Sequence, residues 1–500
     1  MIKRRNSIIC DEGGGTDSKR NKTIKIEYIE MTIIRQVCCT LIVSCISLNN
    51  GFIYAWPSST IKLFISNNTT LDRPMTETEV ALLGSLSSVS ALISTPLSGF
   101  LLDVLGRKNS CILSAVPQVI AWSLISAFPR VDVILIAVFI AGLSGCMFLI
   151  LPNFISEFCQ ENIRGSMTSC AIISYGIGLM VSYILGGTLE YHVMNYTCLG
   201  ICTAGVLMLM IVKESPTYLM KKGLDKEAAK SLAFYRSTSP DSKEVLQEMN
   251  VIRRALNPEL DDVTPEQQKL NPESQTKEKE KLSIIQFIKK SQSTRRALVI
   301  VLMLYTVAIF QGLVVVQVYA EPLFEEALPN MSANLTCILF ALTNTIAGLV
   351  AAYLLDIWGR RPVMIYSSIA CGICCIALGT QIHLHWGPNW LTAVLIYAFC
   401  ITCTCGSGTV PYVMIAELFL PEVKGVMSMV GVQFAWICNF IILFLFNYLV
   451  SAIGLGPVFY IFACVSVFSA VFSILYLPET MGVTVDVIQT LLVKKKSTKA

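Results

Sequence analysis

Residues 99–108 of this 500-residue chain read GFLLDVLGRK, and residues 353–361 read YLLDIWGRR. Each stretch joins an apolar run to an aspartate and a Gly-basic turn, and Asp356 follows Asp103 by 253 positions. Weak internal sequence symmetry of this kind indicates a membrane protein that is built from structural repeats. The recurrence therefore indicates that the second half of the chain repeats the organisation of the first.

Two further motif pairs occur in the same order. In each half a glutamate precedes a basic residue and a glycine by seven positions, and a short glutamate-containing motif follows the last apolar run. The members are Glu157 and Arg164 with Glu417 and Lys424, and residues 213–216 (KESP) with residues 477–480 (LPET). Three motif pairs at offsets of 253 to 265 imply duplication of one unit.

The composition describes a membrane protein. Hydrophobic residues make up 54% of the chain and charged residues only 14%, whereas soluble domains carry about a quarter charged residues. Apolar runs of about 20 residues can each cross the hydrocarbon core as a helix. The runs lie at 37–64, 79–102, 110–128, 132–156, 166–189, 193–212, 297–319, 335–355, 362–381, 391–416, 426–450 and 456–477. The sequence predicts an all-α membrane protein with twelve transmembrane helices in two pseudo-symmetric six-helix halves.

The distribution of basic residues predicts the orientation. With a cytoplasmic amino terminus, only Lys62, Arg73 and Arg130 of the 38 basic residues fall on the outer side, which agrees with the positive-inside rule. Acceptor motifs for N-glycosylation fall in the segments assigned to the outside. They are Asn67, Asn68, Asn195, Asn330 and Asn334. We therefore expect a multi-pass glycoprotein of the plasma membrane with both termini in the cytoplasm.

Five segments follow from this topology. The polar stretch between the halves is rich in Lys, Glu and Gln, and its amphipathic parts at 224–236 and 281–290 predict short surface helices on a solvated spacer without a site of its own. The segments are a cytoplasmic tail at 1–36, the first half at 37–213, the linker at 214–294, the second half at 295–477 and a cytoplasmic tail at 478–500.

Cysteine, histidine and net charge argue against several other classes of protein. Most of the nineteen cysteines lie inside apolar runs, where they are expected to act as small packing residues. With three histidines and no zinc-ligand spacing, the sequence predicts no metal and no cofactor. The formal charge of +4 reflects the membrane topology and does not indicate nucleic-acid binding.

Charged residues recur at the inner ends of the predicted spans in both halves. Ionisable groups at membrane depth are costly unless they are paired, so we expect mutual pairing that holds the inner ends together in the outward-open state. Separation of the inner ends would break these pairs, as in a two-state gate between two rigid halves. The predicted gating residues are Asp103, Arg107, Glu157, Arg164, Glu214, Asp356, Arg360, Arg361, Glu417, Lys424 and Glu479. The simpler alternative is that these residues only anchor the helix ends at the membrane surface.

These motifs resemble those of the sugar porter family of the major facilitator superfamily, across nearly all of residues 36–485. The matching pieces are residues 102–108, residues 152–157 with Arg164 and Gly165, residues 214–219, residues 356–361, residues 416–419 and residues 478–480 with Gly482. Residues 51–59 (GFIYAWPSS) with Ala121 and Trp122 look most like the facilitated trehalose transporter-like group of insects. The resemblance implies the major facilitator fold and a carrier that works as a monomer on a small sugar.

A sugar site needs Asn, Gln and Tyr side chains together with an aromatic face. Polar residues deep in the spans are candidates, among them Gln311 and Gln317. The resemblance adds the positions where sugar porters bind substrate, which fall on Asn344, Trp436, Asn439, Tyr319, Gly408 and Tyr412. Other family positions have lost their polar residue, since they fall on Ile172, Ala308, Ile309 and Val314, and an acidic position of the tenth span falls on Thr404.

Residues 37–64 contain no Asp or Glu, and proton-coupled members of the family carry an aspartate in this span. We therefore predict facilitative transport of a sugar (trehalose, glucose or a similar polyol) by alternating access, without proton coupling. Two alternatives on the same fold stay open: a proton-coupled symporter and a transport-inactive nutrient sensor. An integral-membrane enzyme is disfavoured because no nucleophile with a plausible base is present.

Overall fold

The computed structural model describes residues 17–256, 291–328, 331–419, 421–483 and 485–494. In the first half the helices are α1 (Asp17–Ile65), α2 (Glu77–Val104), α3 (Arg107–Ala127), α4 (Val131–Gly142), α5 (Met147–Phe158), α6 (Glu161–Thr188) and α7 (Tyr191–Leu209). The linker contains α8 (Pro216–Lys221), α9 (Asp225–Arg236) and α10 (Lys243–Leu256). The predicted amphipathic stretch 281–290 lies outside the described residues.

The second half repeats this order. It contains α11 (Gln292–Phe310), α12 (Leu313–Val318), α13 (Ala320–Ala327), α14 (Ala333–Trp358), α15 (Arg360–Leu384), α16 (Asn389–Cys405), α17 (Val410–Glu417), α18 (Pro421–Ile453), α19 (Leu455–Tyr476) and α20 (Val485–Lys494). Among the described residues, twelve helical segments are long and apolar enough to cross a membrane. The predicted all-α architecture with twelve spans is confirmed.

Three predicted spans are interrupted near their middle. A 3₁₀ turn at Leu143–Cys146 separates α4 from α5, and residues 406–409 separate α16 from α17. The seventh span breaks at Gly312, whose φ of +91° suits only glycine and whose missing Cβ leaves room for the ring of Phe462. Discontinuous helices of this kind form the binding sites of many transporters near the middle of the membrane.

The two halves meet along α2 with α18 and α6 with α14. We call the end of the spans that carries Asp103, Glu157 and Glu417 the motif side, and the other end the opposite side. Along α6, a Cβ at Gly187 would overlap Asn334, whereas a Cβ at Gly165 near the motif side would meet nothing within 4 Å. Along α6, close contact with the other half is therefore found toward the opposite side and not at Gly165.

The first part of the linker is docked onto the first half. The Gln36 side chain donates to the carbonyl of Tyr235 (3.3 Å) and accepts from the backbone N–H of Gln160 (2.9 Å). The ring of Tyr235 stacks on Phe158 with centroids 4.7 Å apart, and the buried Arg236 guanidinium donates to the Phe158 carbonyl (3.0 Å). The expectation of a solvated spacer is therefore wrong for α9, which packs as part of the first half.

Candidate transport pathway

In the first half, Arg107, Glu157 and Glu214 form one cluster on the motif side. The Arg107 guanidinium lies 2.8 Å from the Glu157 carboxylate, and both side chains are less than a fifth exposed. Glu214 accepts from the backbone N–H groups of Arg107 (2.8 Å) and Lys108 (3.0 Å). These N–H groups are the free donors at the start of α3, where a helix favours an anion. The hydroxyl of Ser215 donates to the second oxygen of Glu157.

The second half builds the same cluster. Arg360 lies 2.7 Å from Glu417, and Glu479 accepts from the backbone N–H groups of Arg360 (3.1 Å) and Arg361 (3.0 Å) at the start of α15. Burial raises the pKa of Glu479, but backbone N–H bonds from Met481, Arg360, Arg361 and Thr480 outweigh it and hold this pKa below its usual value. Each of these two clusters thus pairs an arginine with a glutamate of its own half.

The other predicted gating residues are not drawn into these clusters. Asp103 pairs with Lys221 at 2.9 Å, with both side chains more than half exposed. Arg164, Asp356 and Lys424 are exposed. In the described part of the chain, no ion pair joins the two halves on the motif side. The expected pairing between halves is thus not what this conformation contains, and the role of these residues as a gate stays a prediction.

On the opposite side the halves are bonded to each other. Lys62 at the end of α1 lies 2.6 Å from Glu325 in α13. Tyr448 donates to the hydroxyl of Thr78 (3.0 Å), and the backbone N–H of Glu321 donates to Ser58 (2.8 Å). A pathway between the halves is therefore closed on this side.

Between the two sides, an aromatic chain crosses from one half to the other. The ring centroids of Tyr54 and Tyr175 are 6.1 Å apart, those of Tyr175 and Phe148 are 6.0 Å apart, and those of Phe148 and Trp436 are 6.1 Å apart. The indole N–H of Trp436 is buried and has no hydrogen-bond partner within the described residues. Buried N–H donors are rarely left unpaired, so this donor is available to a bound polar molecule.

Asn344 faces the break between α16 and α17. Its Oδ1 accepts from the hydroxyl of Thr404 (2.8 Å) and from the thiol of Cys400 (3.7 Å). Tyr412 follows the break, and its half-exposed ring packs edge-on against Tyr305 with centroids 5.4 Å apart. The Oδ1 of Asn439 on α18 is another buried polar atom without a partner among the described residues. These residues supply the polar and aromatic groups that a sugar site requires.

Three predicted substrate residues make contacts within the protein, and their role in binding stays a prediction. Gln311 is fully buried, and its Oε1 accepts from Ser407 and Cys403, which ties the break in the seventh span to the break in the tenth. Tyr319 is buried on the opposite side, where its hydroxyl donates to the Leu443 carbonyl (3.0 Å). The carbonyl of Gln317 accepts from Tyr183 (2.5 Å), a bond between halves. Gly408 lies in the break of the tenth span, where an added Cβ would fit tightly against the backbone of Thr404 (3.0 Å).

Residues that the sequence analysis did not single out include Ser144 and Phe148. Ser144 accepts from Gln118 (2.8 Å) and donates to Asn50 (3.2 Å) at the 3₁₀ turn of the fourth span. It corresponds to Ser407 in the tenth span at an offset of 263, within the range that relates the halves. Extending the internal repeat into the spans would therefore have found it.

The glycosylation acceptors differ in exposure. Asn67 and Asn68 are exposed in the loop between α1 and α2 on the opposite side. Asn195 is fully buried in α7, where its Oδ1 accepts from the indole N–H of Trp56 (3.1 Å), so the prediction of a glycan at this residue is wrong for the folded chain. Asn334 packs against Gly187, and Asn330 lies outside the described residues.

Comparison with known proteins agrees with this architecture. The family model "Sugar (and other) transporter" matches residues 37–492. A facilitated trehalose transporter Tret1 of Culex quinquefasciatus is 25% identical over 472 residues, covering 93% of this chain and 87% of that protein. The Apis mellifera ligustica Tret1 is 26% identical over 473 residues, covering 93% and 89%.

Solved structures show the fold. The inward-open xylose transporter XylE of E. coli matches with a TM-score of 0.71 and 19% identity, covering 90% of this chain and 98% of that one. The proton:xylose symporter XylE of the major facilitator superfamily, bound to 6-bromo-6-deoxy-D-glucose, matches with a TM-score of 0.66 and 21% identity, covering 91% and 98%. The chain therefore has the fold of major facilitator sugar transporters.

Proposed function

This chain belongs to the sugar (and other) transporter family, and we propose that it moves a small sugar or polyol down its concentration gradient without a coupled proton. The observation that carries the proposal is the aromatic and polar lining around Trp436 and Asn344, between the closed opposite side and the open motif side. A ring with apolar faces and peripheral hydroxyls matches such a lining.

The orientation of the chain in the membrane decides to which side the site is open. We place the motif side in the cytoplasm because 35 of the 38 basic residues then lie inside. The structure is then an inward-open conformation, and closure of the motif side with opening of the opposite side would return the site to the outside. Rigid halves that rock around a fixed site are the usual form of alternating access.

Uncoupled transport is supported by the composition of the spans. The carboxylates of the sequence lie in the tails, in the loops and at the ends of the predicted spans. Proton coupling in a membrane carrier generally relies on an intramembrane titratable group. Polar side chains at mid-depth, such as Asn50, Gln118 and Gln311, are amides that do not titrate. The names of the curated relatives favour trehalose as the first sugar to test.

The test is uptake of labelled trehalose and glucose into proteoliposomes that contain the purified protein. We expect saturable uptake that equilibrates with the gradient and is unchanged by an imposed pH gradient. Trp436→Ala should lower uptake at least tenfold, whereas the control Trp390→Ala, at an exposed indole, should not. Accumulation driven by the pH gradient would establish a symporter. Absence of uptake of every sugar, with the protein folded, would favour the sensor.

The orientation has a separate test. Asn67→Gln combined with Asn68→Gln should abolish a glycosidase-sensitive mass shift in the expressed protein, whereas Asn195→Gln should leave that shift unchanged. A mass shift that persists in the double variant would require another acceptor. No shift in the wild type, with antibody access to the loop only after permeabilisation, would place the opposite side in the cytoplasm.

A further inference from the structure

The amide of Asn344 is held in one orientation by the tenth span. Its oxygen accepts two hydrogen bonds, from the Thr404 hydroxyl at 2.8 Å and from the Cys400 thiol at 3.7 Å. Thr404 and Cys400 are four residues apart on α16, so they lie on the same face of that helix. A carbonyl oxygen has two lone pairs, and both are occupied here.

The nitrogen of the same amide is left for another partner. Its two N–H groups make no hydrogen bond within the described residues, and the side chain is half-buried, close to the interface where its neighbour Thr345 meets Gly176 of the other half. An amide nitrogen donates and does not accept. Asn344 therefore presents donors to whatever lies beside it.

The residue at position 404 decides whether Asn344 presents its N–H donors or its acceptor oxygen. An acidic side chain at this position would, when ionised, only accept hydrogen bonds. It would bind the amide nitrogen and turn the amide oxygen outward. A threonine hydroxyl can donate to the oxygen, as it does here, and this turns the nitrogen outward.

We propose that Thr404 and Cys400 are positioning residues that make Asn344 a hydrogen-bond donor, so that the carrier recognises the adjoining sugar oxygen as an acceptor. The assignment rests on the proposed function, because it concerns the same site. It makes the hydroxyl group at position 404 a determinant of selectivity, and it explains how a site with few polar side chains can still discriminate among hydroxyls.

The first test uses deoxy and deoxyfluoro analogues of the transported sugar as competitors, because fluorine can accept a hydrogen bond but cannot donate one. At one ring position the deoxy analogue should bind about tenfold more weakly than the parent, and the fluoro analogue should stay within about threefold. Thr404→Ser should keep this pattern. Thr404→Glu should reverse it, so that the fluoro analogue becomes as poor as the deoxy analogue. An unchanged pattern in Thr404→Glu would overturn the assignment.

The second test replaces the amide by a carboxyl group. Asn344→Asp keeps an oxygen for Thr404 but offers the sugar no N–H, so uptake should fall at least tenfold at pH 7.5. It should recover on acidification, as the carboxyl gains a proton and becomes a donor. Asn344→Leu should be inactive at every pH. Full activity of Asn344→Asp at pH 7.5 would mean that the oxygen, not the nitrogen, faces the sugar.

A third measurement needs no sugar. Asn344→Asp should lower the unfolding temperature of the purified protein more in the Thr404→Val background than in the wild-type background, because the threonine hydroxyl can donate to the introduced carboxylate and a valine side chain cannot. Equal losses in the two backgrounds would refute the proposed role of Thr404. Wild-type protein that takes up no sugar would refute the proposed function while leaving this readout intact, so the two failures are distinguishable.

Discussion

The two sides of the molecule handle polar contacts in opposite ways. On the motif side, each half pairs its charges within itself, as Arg107 with Glu157 and Arg360 with Glu417. On the opposite side the halves bond to each other, through an exposed ion pair at Lys62 and through neutral contacts such as that of Tyr448 with Thr78.

This difference leads us to assign the rigidity of each half to the motif side and the control of opening to the opposite side. Buried charges are costly to leave unpaired, so bonds that must break in every transport cycle are better built from exposed or neutral groups. We propose that the motif-side clusters keep each half rigid in every conformation and that the contacts on the opposite side set the balance between conformations. The charged network that the sequence predicts between the halves requires the inner ends to meet, and it stays a prediction.

The largest expected effect is loss of one partner from a motif-side cluster. Glu157→Gln or Glu417→Gln leaves an arginine that is less than a fifth exposed without its counter-charge. We expect each change to lower the free energy of unfolding by about 3 kcal/mol. The two losses should add, because the clusters lie in different halves. Chemical unfolding of the purified protein measures both.

The matched control is Arg164→Gln, at an exposed residue on the motif side. It should change the free energy of unfolding by less than about 0.5 kcal/mol. If Glu417→Gln left stability unchanged but shifted the protein toward the outward-facing conformation, the clusters would be gates between halves after all.

The second prediction concerns the packing of the halves on the opposite side. Gly187→Leu places a side chain where Asn334 lies, whereas Gly165→Leu, on the same helix toward the motif side, enters open space. Overpacking typically costs 1–3 kcal/mol, and about 1.4 kcal/mol shifts a conformational ratio tenfold. Gly187→Leu should open the opposite side and close the motif side.

The rate of backbone amide hydrogen exchange at the motif-side ends of α6 and α14 measures this shift. Exchange should slow in Gly187→Leu and stay near the wild-type rate in Gly165→Leu. Slower exchange in Gly165→Leu alone would show that the halves separate on the other side of the membrane.

Features fixed by local chemistry were predictable from the sequence. The twelve spans follow from apolar length, and the pairing of arginines with glutamates follows from the cost of unpaired charge. Which half supplies each partner depends on how the helices are arranged, and the sequence alone does not specify it. Glu214 opens the predicted linker and Glu479 the predicted tail, yet each binds the start of a helix within its own half.

The site was less predictable because the direction in which a side chain points depends on the tertiary structure. Gln311 and Asn344 are both amides deep in apolar runs, and no local signal shows that the first is enclosed among Ser407 and Cys403 while the second is half-buried beside Thr404. The acceptor motif at Asn195 spans only three residues, so the motif carries no information about the contact of this buried side chain with Trp56.

A smaller effect is expected from the ion pair on the opposite side. Lys62 and Glu325 are 66% and 42% exposed, and exposed pairs contribute about 1 kcal/mol or less. Lys62→Glu should shift the protein modestly toward the outward-open conformation, and adding Glu325→Lys should restore the wild-type balance. The same hydrogen-exchange readout applies. The shift should shrink in about 1 M salt, where charges are screened beyond about 3 Å. A shift that persists in salt would point to packing rather than charge.

The smallest effect expected near neutral pH comes from Glu479. Its pKa is lowered in the folded protein, so its contribution to stability is fully present above the ordinary carboxyl pKa of about 4.3. That contribution is lost as the pH falls through the lower folded value. The wild type should therefore lose stability relative to Glu479→Gln only below about pH 4.3. Between pH 6 and 8, the difference in the free energy of unfolding between the two proteins should stay constant. A difference that instead changes across pH 6 to 8 would mean that Glu479 titrates near neutrality, and that this cluster responds to pH during transport rather than serving as a fixed element of its half.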